Sequence, residues 1–315
     1  MYEKWKGVHT RCAFNMIQEL IPLTRPRTLA AALGPTILGA AFSYYAFGAA
    51  QGTGLAIFHT VLIFLAVVTA QIVANLWNEY KDFKSGLDAG QKVGNAGSIT
   101  RGVITPELII TMIKVLMFVP ITIGIYLSAT ITWYYIPIGF LCILISFLYS
   151  GGPKPISRTP FGEISSGIAM GFTIVLITGY AWIRELSLAL LIPAIPSTLL
   201  VGSIMLTNNI RDIRNDESHG RHTLPIVLGR ERALSLMSIS YIFNFIWIIA
   251  WIIVGHMTWF TLLAFLAAPL AFKTIHTLST NTDEFQLDKA MGTTAGAAMI
   301  YQLMWAIGLI MGKLF

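Results

Sequence analysis

Two polar stretches break a chain otherwise suited to lipid. One is Asn75-Leu76-Trp77-Asn78-Glu79-Tyr80-Lys81-Asp82, followed by Asp88; the other is Asn208-Asn209-Ile210-Arg211-Asp212-Ile213-Arg214-Asn215-Asp216. Asn75, Asn78 and Asp82 are spaced i, i+3, i+7, and Asn208, Asp212 and Asp216 are spaced i, i+4, i+8. On helices each set forms one stripe. Gly86 breaks the first helix and lets Asp88 fold back over the same region. The acids and amides are hard oxygen donors of the kind that suit Mg²⁺, which keeps waters and bridges carboxylates to substrate phosphates. Lys84, Arg101, Arg211 and Arg221 are the nearby cations that would hold phosphate oxygens. A single Asp or Lys here is ordinarily a solvated helix end. Two such stripes at the ends of apolar runs, on one side of a membrane, are hard to obtain by solvation alone. They point to a shared site for a metal ion and a polyanion.

The elements that position these stripes are membrane spans. The chain has 315 residues, 55% hydrophobic and 11% charged, with a mean hydropathy of +0.70. Soluble domains carry about 25% charged residues. The expected class is an all-α integral membrane protein of one polytopic domain, residues 1–315, with 1–27 as a cytoplasmic or interfacial N-terminal segment. The net charge of +6 fits loops facing an anionic leaflet better than nucleic acid. Cys12 and Cys142 stand in no metal-ligand spacing, so neither zinc nor a structural disulfide is expected. Residues 1–24 lack the apolar core of a cleavable signal.

Apolar runs near the ~20 residues that a bilayer core requires place nine spans at 28–48, 55–79, 107–129, 133–150, 162–183, 187–211, 232–255, 258–276 and 291–312. Residues 13–23 read as a short interfacial helix. With the N-terminus in the cytoplasm, 18 of the 21 Lys and Arg fall on the inner side; Arg184 and Lys313 fall outside and Lys114 lies within the third span. That bias supports an odd number of spans. Spans two and six then both end inside, so their polar ends can face one cavity. The two halves hint at a duplication. Asp283, Glu284 and Asp288 read as a solvated loop, and Lys114 as snorkelling to the inner edge.

The spacings also resemble a known family. Asn78-x-x-x-Asp82 and Asn208-x-x-x-Asp212-x-x-x-Asp216 look like the paired aspartate motifs of the UbiA superfamily of intramembrane aromatic prenyltransferases. The resemblance covers nearly the whole chain. It is greatest to the branch that acts on 1,4-dihydroxy-2-naphthoate, through Asn75 to Asp88, Tyr149-Ser150-Gly151-Gly152-Pro153-Lys154-Pro155, Pro160-Phe161-Gly162-Glu163, and Asn208 to Asp216 with Gly220-Arg221-His222-Thr223-Leu224. Many members carry the first motif as Asp-x-x-x-Asp. Here position 86 is Gly and the second acid, Asp88, comes six residues after Asp82, which favours the naphthoate branch over 4-hydroxybenzoate enzymes. Glu79 stands where many relatives have Asp, and its role stays open.

The resemblance implies about nine helices around a central cavity in a bacterial plasma membrane, with the active site toward the cytoplasm. It implies Mg²⁺-dependent transfer of a polyprenyl group from polyprenyl diphosphate to 1,4-dihydroxy-2-naphthoate, with loss of carbon dioxide and diphosphate, giving demethylmenaquinol for menaquinone synthesis. Asp82, Asp88, Asp212 and Asp216 would be metal ligands, with Asn78 and Asn208 as supporting ligands. Lys84, Arg101, Arg211 and Arg221 would contact diphosphate, and Tyr149 and Glu163 the aromatic acceptor. The loops 80–106 and 212–231 would act as lids, with Gly86, Gly90, Gly94, Gly97 and Gly220 as hinges. The alternatives are another acceptor (4-hydroxybenzoate, homogentisate or haem) or a secondary transporter. The transporter is disfavoured because its acids belong near the bilayer midplane, whereas these cluster at one face.

Overall fold

The computed structural model describes residues 20–87 and 97–315. Among the described residues, eight helices are long and apolar enough to cross a membrane. They are α1 (Pro26–Phe47), α2 (Thr53–Ser85), α3 (Pro106–Thr130), α5 (Gly162–Ile183), α6 (Leu188–Arg211), α7 (Arg230–Ile253), α8 (Trp259–Thr280) and α9 (Glu284–Leu314); a shorter apolar helix, α4 (Tyr135–Ser150), completes the expected nine. At about 1.5 Å per residue, the 16 residues of α4 cover ~24 Å. The all-helical class follows, and with it an integral membrane protein.

Helices α1, α6 and α9 are the inner ones. α1 packs on α2, α5, α6 and α9, while α3 packs on α2 and α4 and turns most of its surface outward. The outward faces of α3 and α4 carry exposed Val115, Phe118, Ile125, Phe140 and Leu141, the pattern lipid selects. Close approach between inner helices needs small residues. A Cβ on Gly167 would come within 2.6 Å of the Thr198 carbonyl, and one on Gly171 within 2.6 Å of the Ser197 carbonyl. Those two glycines sit in a π-helical stretch, Gly167–Phe172, that seats α5 against α6. Wide turns of this kind occur at functional sites, and this one fixes the helix that bears the second motif.

Two helices run further than hydropathy indicates. α2 continues past residue 79 to Ser85 and stops at Gly86, whose φ of 74° is left-handed; the Gly86 N–H donates to the Asp82 and Phe83 carbonyls. Asn78 and Asp82 therefore ride on the last turns of the helix. α9 starts at Glu284, capped by the Asp283 carboxylate, which accepts from the Gln286 N–H at 3.1 Å. The expected loop around Asp288 is thus helix, because a good N-cap and the buried Leu287, Ala290 and Met291 extend it beyond the apolar run. The second motif departs in the other direction. α6 ends at Arg211, Asp212 is non-helical (φ −94°, ψ 6°), and a short helix Ile213–Ser218 follows. Hydrogen bonds from Asp212 N to Asn208 O (3.1 Å) and from Asp216 N to Asp212 O (2.8 Å) carry the four-residue spacing across this break.

Of the two expected lids, the first is partly helix, its residues 88–96 lie outside the described residues, and its return limb is fastened: Glu79 Oε1 accepts from the N–H groups of Gly97 (2.9 Å) and Ser98 (2.8 Å). The second contains the helices Ile213–Ser218 and Leu224–Leu228. Asp88, Gly90, Gly94, Cys12 and most of the expected interfacial helix lie outside the described residues; Leu20–Leu23, its end, is helical.

Candidate active site

The polar ends of α2 and α6 face one chamber. Asn78 and Asp82 from α2 and Asn208, Arg211, Asp212, Asn215 and Asp216 from the second motif line a polar cavity of about 80 Å³, closed by Arg25, Arg27, Thr28, Leu87, Arg221, Asp288 and Met291. Beneath it lies an apolar cavity of about 290 Å³ between α2, α3, α4, α5 and α6. It runs from Asn78, Tyr149 and Asn208 past Ala70, Met117, Cys142, Ala169 and Ile174 to Ile63, Leu127 and Tyr135. Residues 63 and 78 of α2 are about 22 Å apart along the helix. Arg25, Thr28, Asn78, Asn208, Arg221 and Met291 line both cavities. Charged groups and an oily channel therefore meet at one mouth.

Arg221 joins the two motifs. Its Nη2 donates to Asp82 Oδ1 at 2.8 Å, and its Nη1 lies 3.3 Å from Asp216 Oδ1. Asp82 and Asp216 come from elements far apart in sequence, and one guanidinium sits between them. The loop that delivers Arg221 is pinned by the Arg221 N–H to the Asp216 carbonyl (3.0 Å) and by the His222 N–H to the Arg158 carbonyl (3.0 Å). Asp216 is only 2% exposed. Its carboxyl is pushed up to about 7, chiefly by burial, with the charges of Asp212 and Asp82 adding to the rise and Arg221 and Arg211 opposing it. The folded chain thus holds this proton more tightly than the unfolded chain. The associated stability is complete below the ordinary aspartate range and is lost as pH rises through about 7. Chelator-treated protein in detergent is expected to melt at falling temperature between about pH 5 and about pH 8. Asp216→Asn should flatten that slope, and an unchanged slope in the variant would refute the assignment.

Arg211 serves the second motif from within. Its Nε and Nη2 donate to the two oxygens of Asp212, both at 2.7 Å, Nη2 also donates to Asn208 Oδ1 at 2.9 Å, and Nη1 donates to Asp288 Oδ1 at 2.9 Å. It was expected to meet diphosphate. Here it is spent on its neighbours, because Asp288 lies on helix rather than in solvated loop. Lys84 is also displaced from its expected role: it is exposed, its ammonium lies 5.0 Å from the Tyr80 ring centroid, and it does not line the chamber. Its position two residues from Asp82 turns it to another face of α2. Arg101 stands on the fastened loop, donating to Ser98 Oγ at 3.2 Å, outside the chamber lining. In their place the N-terminal segment supplies Arg25 and Arg27. Once the Asn78 amide is turned to satisfy its neighbours, its oxygen accepts both Arg25 N–H groups at 3.1 Å and its nitrogen donates to Ser150 Oγ (2.9 Å) and Asp82 Oδ2 (3.2 Å). Asn75 supports that segment by donating to the Thr24 carbonyl at 2.9 Å. In the sequence Arg25 and Arg27 registered only as cytoplasmic charge; the signal that they belong here is their place at the start of α1.

Of the two residues expected near the acceptor, Tyr149 lines the apolar cavity, with its hydroxyl over Gly162, where a Cβ would lie 3.2 Å away. Glu163 does not line either cavity. It is buried behind Asn209, whose Nδ2 donates to Glu163 Oε1 at 2.8 Å.

Among the described residues no three acid, His or Cys side chains converge as a ready metal cluster. What converges is Asp82 and Asp216 about a shared cation, with Asn78, Asn208 and Asp212 beside them. This donor set is all oxygen, and its buried carboxylates require positive charge between them. It fits an ion that takes one or two carboxylates and shares the rest of its sphere with water and phosphate, as Mg²⁺ does.

Comparison with known proteins gives the family and the fold. The family model described as "UbiA prenyltransferase family" matches residues 32–307. A curated relative from Bacillus subtilis (strain 168), named 1,4-dihydroxy-2-naphthoate octaprenyltransferase, is 35% identical over 94% of this chain and 93% of its own length. Among solved structures, an apo UbiA homolog from Aeropyrum pernix K1 aligns with a TM-score of 0.66 at 18% identity, over 90% of this chain and 97% of that one. A UbiA homolog from Archaeoglobus fulgidus bound to GPP and Mg²⁺ aligns with a TM-score of 0.59 at 16% identity, over 90% and 98%. Since the family match spans residues 32–307 and the bacterial relative is shared almost end to end, the chain belongs to the UbiA prenyltransferase family.

Proposed function

We propose that the protein transfers a polyprenyl group from polyprenyl diphosphate to 1,4-dihydroxy-2-naphthoate, releasing carbon dioxide and diphosphate and giving demethylmenaquinol for menaquinone synthesis. The observation that carries this reading is the single mouth at which an arginine-and-carboxylate chamber opens onto an apolar channel. A diphosphate head needs the first and an isoprenoid tail the second. The relative named for naphthoate octaprenyl transfer supports the choice of acceptor.

In this reading Asp82, Asp212 and Asp216 would hold Mg²⁺, with Asn78 and Asn208 supporting and Asp88, six residues after Asp82, as a further ligand. When bound, the metal supplies positive charge against the leaving diphosphate. Arg25 and Arg221 hold phosphate oxygens at the mouth, so the allylic C–O bond is presented where its electron pair can leave toward fixed positive charge. The carboxyl-bearing ring carbon attacks the allylic carbon as that bond breaks. The bond to the carboxylate then gives its pair back to the ring, and carbon dioxide departs. No ring proton at that carbon needs a base. Tyr149 lies at the junction and orients the acceptor. Met170, Ile174 and Ile143, which line the channel, keep water from the cationic allyl group. We also place the protein in the bacterial plasma membrane with its N-terminus and active site toward the cytoplasm, as the distribution of Lys and Arg supports.

The test is product analysis. Purified protein with Mg²⁺, a series of polyprenyl diphosphates and an equimolar mixture of 1,4-dihydroxy-2-naphthoate, 4-hydroxybenzoate and homogentisate should yield prenylated naphthoquinol by mass spectrometry. A product from another acceptor alone would overturn the acceptor, and no product would overturn the enzyme.

A further inference from the structure

We propose that Asp288 on α9 is a positioning residue for the second acidic motif: by sharing Arg211 with Asp212, it leaves Asp212 able to release that arginine and take metal. The inference rests on the reading of Asp212 as a metal ligand. Arg211 is nearly buried, its side chain 8% exposed. A guanidinium there needs a counterion at all times, since removing one partner of a buried pair strands the other charge. Both oxygens of Asp212 accept from Arg211. Were Asp212 the sole acid on Arg211, ceding it to metal would strand the arginine. Asp288 removes that penalty because it reaches the remaining terminal nitrogen, Nη1, from a different helix.

The position of Asp288 is itself secured. Its second oxygen, Oδ2, accepts from Arg27 Nη1 at 2.7 Å, and the Asp288 carbonyl accepts from the same nitrogen at 3.3 Å. Its helix is docked by the buried neighbours Leu287, Ala290 and Met291, and Met291 lines both cavities. Asp288, Arg211, Asp212 and Asn208 thus form a chain from α9 through α6 into the chamber. Arg27, with half its side chain exposed, lies at the outer end, where solvent can replace it.

The experiment is Mn²⁺ binding to the full-length protein in detergent, followed by the EPR signal of free Mn²⁺, with inorganic pyrophosphate as the anion and no prenyl substrate. Asp288→Asn is expected to weaken Mn²⁺ affinity about tenfold or more, the usual consequence of losing a partner that orients a ligand. Asp288→Glu should recover most of that affinity, since it returns a carboxylate to Arg211. Turnover of Asp288→Asn should rise toward wild type as metal is raised, a rescue that a merely structural defect would not show. If Asp288→Asn binds Mn²⁺ like wild type while Asp212→Ala does not, the role of Asp288 is refuted and the metal reading stands. If Asp212→Ala itself binds like wild type, the metal reading fails. Should Asp288→Asn not accumulate, Asp288→Gln decides. It keeps an acceptor near Arg211 without the negative charge, so its affinity should fall similarly, and wild-type affinity would overturn the proposal.

Discussion

Asp82→Ala and Asp212→Ala should each lower turnover at least about a thousandfold while the protein still accumulates in the membrane. A thousandfold corresponds to ~4 kcal/mol of barrier, within what one metal-held charge supplies to a leaving oxyanion. Accumulation is expected because neither change strands a cation. In Asp82→Ala, Arg221 keeps Asp216 at 3.3 Å. In Asp212→Ala, Arg211 keeps Asp288 and Asn208, both at 2.9 Å. Asp82→Asn separates charge from shape. It retains the volume and one oxygen, so it should recover folding fully and turnover hardly at all. The measurement is radiolabelled prenyl transfer per milligram of protein at limiting Mg²⁺. Wild-type rates for both alanine variants would remove these acids from the reaction and with them the proposed mechanism.

The sequence could show these stripes because helical periodicity is local. Asn78 and Asp82, one turn apart, must share a face of α2 wherever α2 lies, and Gly86 must end it. Hydropathy, however, ends a span where charge begins. That rule cut α2 at residue 79 and began α9 at residue 291, so Asp288 fell into an expected loop that in fact ends at Asp283. Which side of a helix meets which partner is a tertiary matter. Lys84 looked equivalent to any other nearby cation until its face was known, and Arg211 looked available until Asp288 was placed beside it. The 139-residue separation between Arg221 and Asp82 carries no local signal at all. Arg25 counts in the sequence only as inner charge and gives no sign of being a chamber residue, since electrostatic bias says where a loop resides and not what it touches. The break at Asp212 was hidden for a different reason: no Gly or Pro stands between residues 208 and 216 to mark it.

Arg221→Gln should be damaging in two separable ways. First, the substitution leaves the buried carboxylates of Asp82 and Asp216 without the cation that now lies between them. Breaking a buried pair costs about 3–5 kcal/mol, so chelator-treated protein in detergent should melt several degrees lower than wild type. Glutamine can hydrogen-bond one acid but cannot neutralise either. Second, the variant lacks a guanidinium where the diphosphate would sit, so kcat/KM for polyprenyl diphosphate should fall about a hundredfold or more, with KM carrying a large part of the loss. Arg221→Lys restores the charge without the fork that reaches both acids. It should recover most of the melting temperature and little of kcat/KM. The two effects then part company with ligand: Mg²⁺ with pyrophosphate gives the carboxylates another cation, so it should raise the melting temperature of Arg221→Gln more than that of wild type. A variant that melts and turns over like wild type would mean that the bridge between the motifs is incidental. One that melts low yet binds diphosphate normally would confine Arg221 to holding the chamber together.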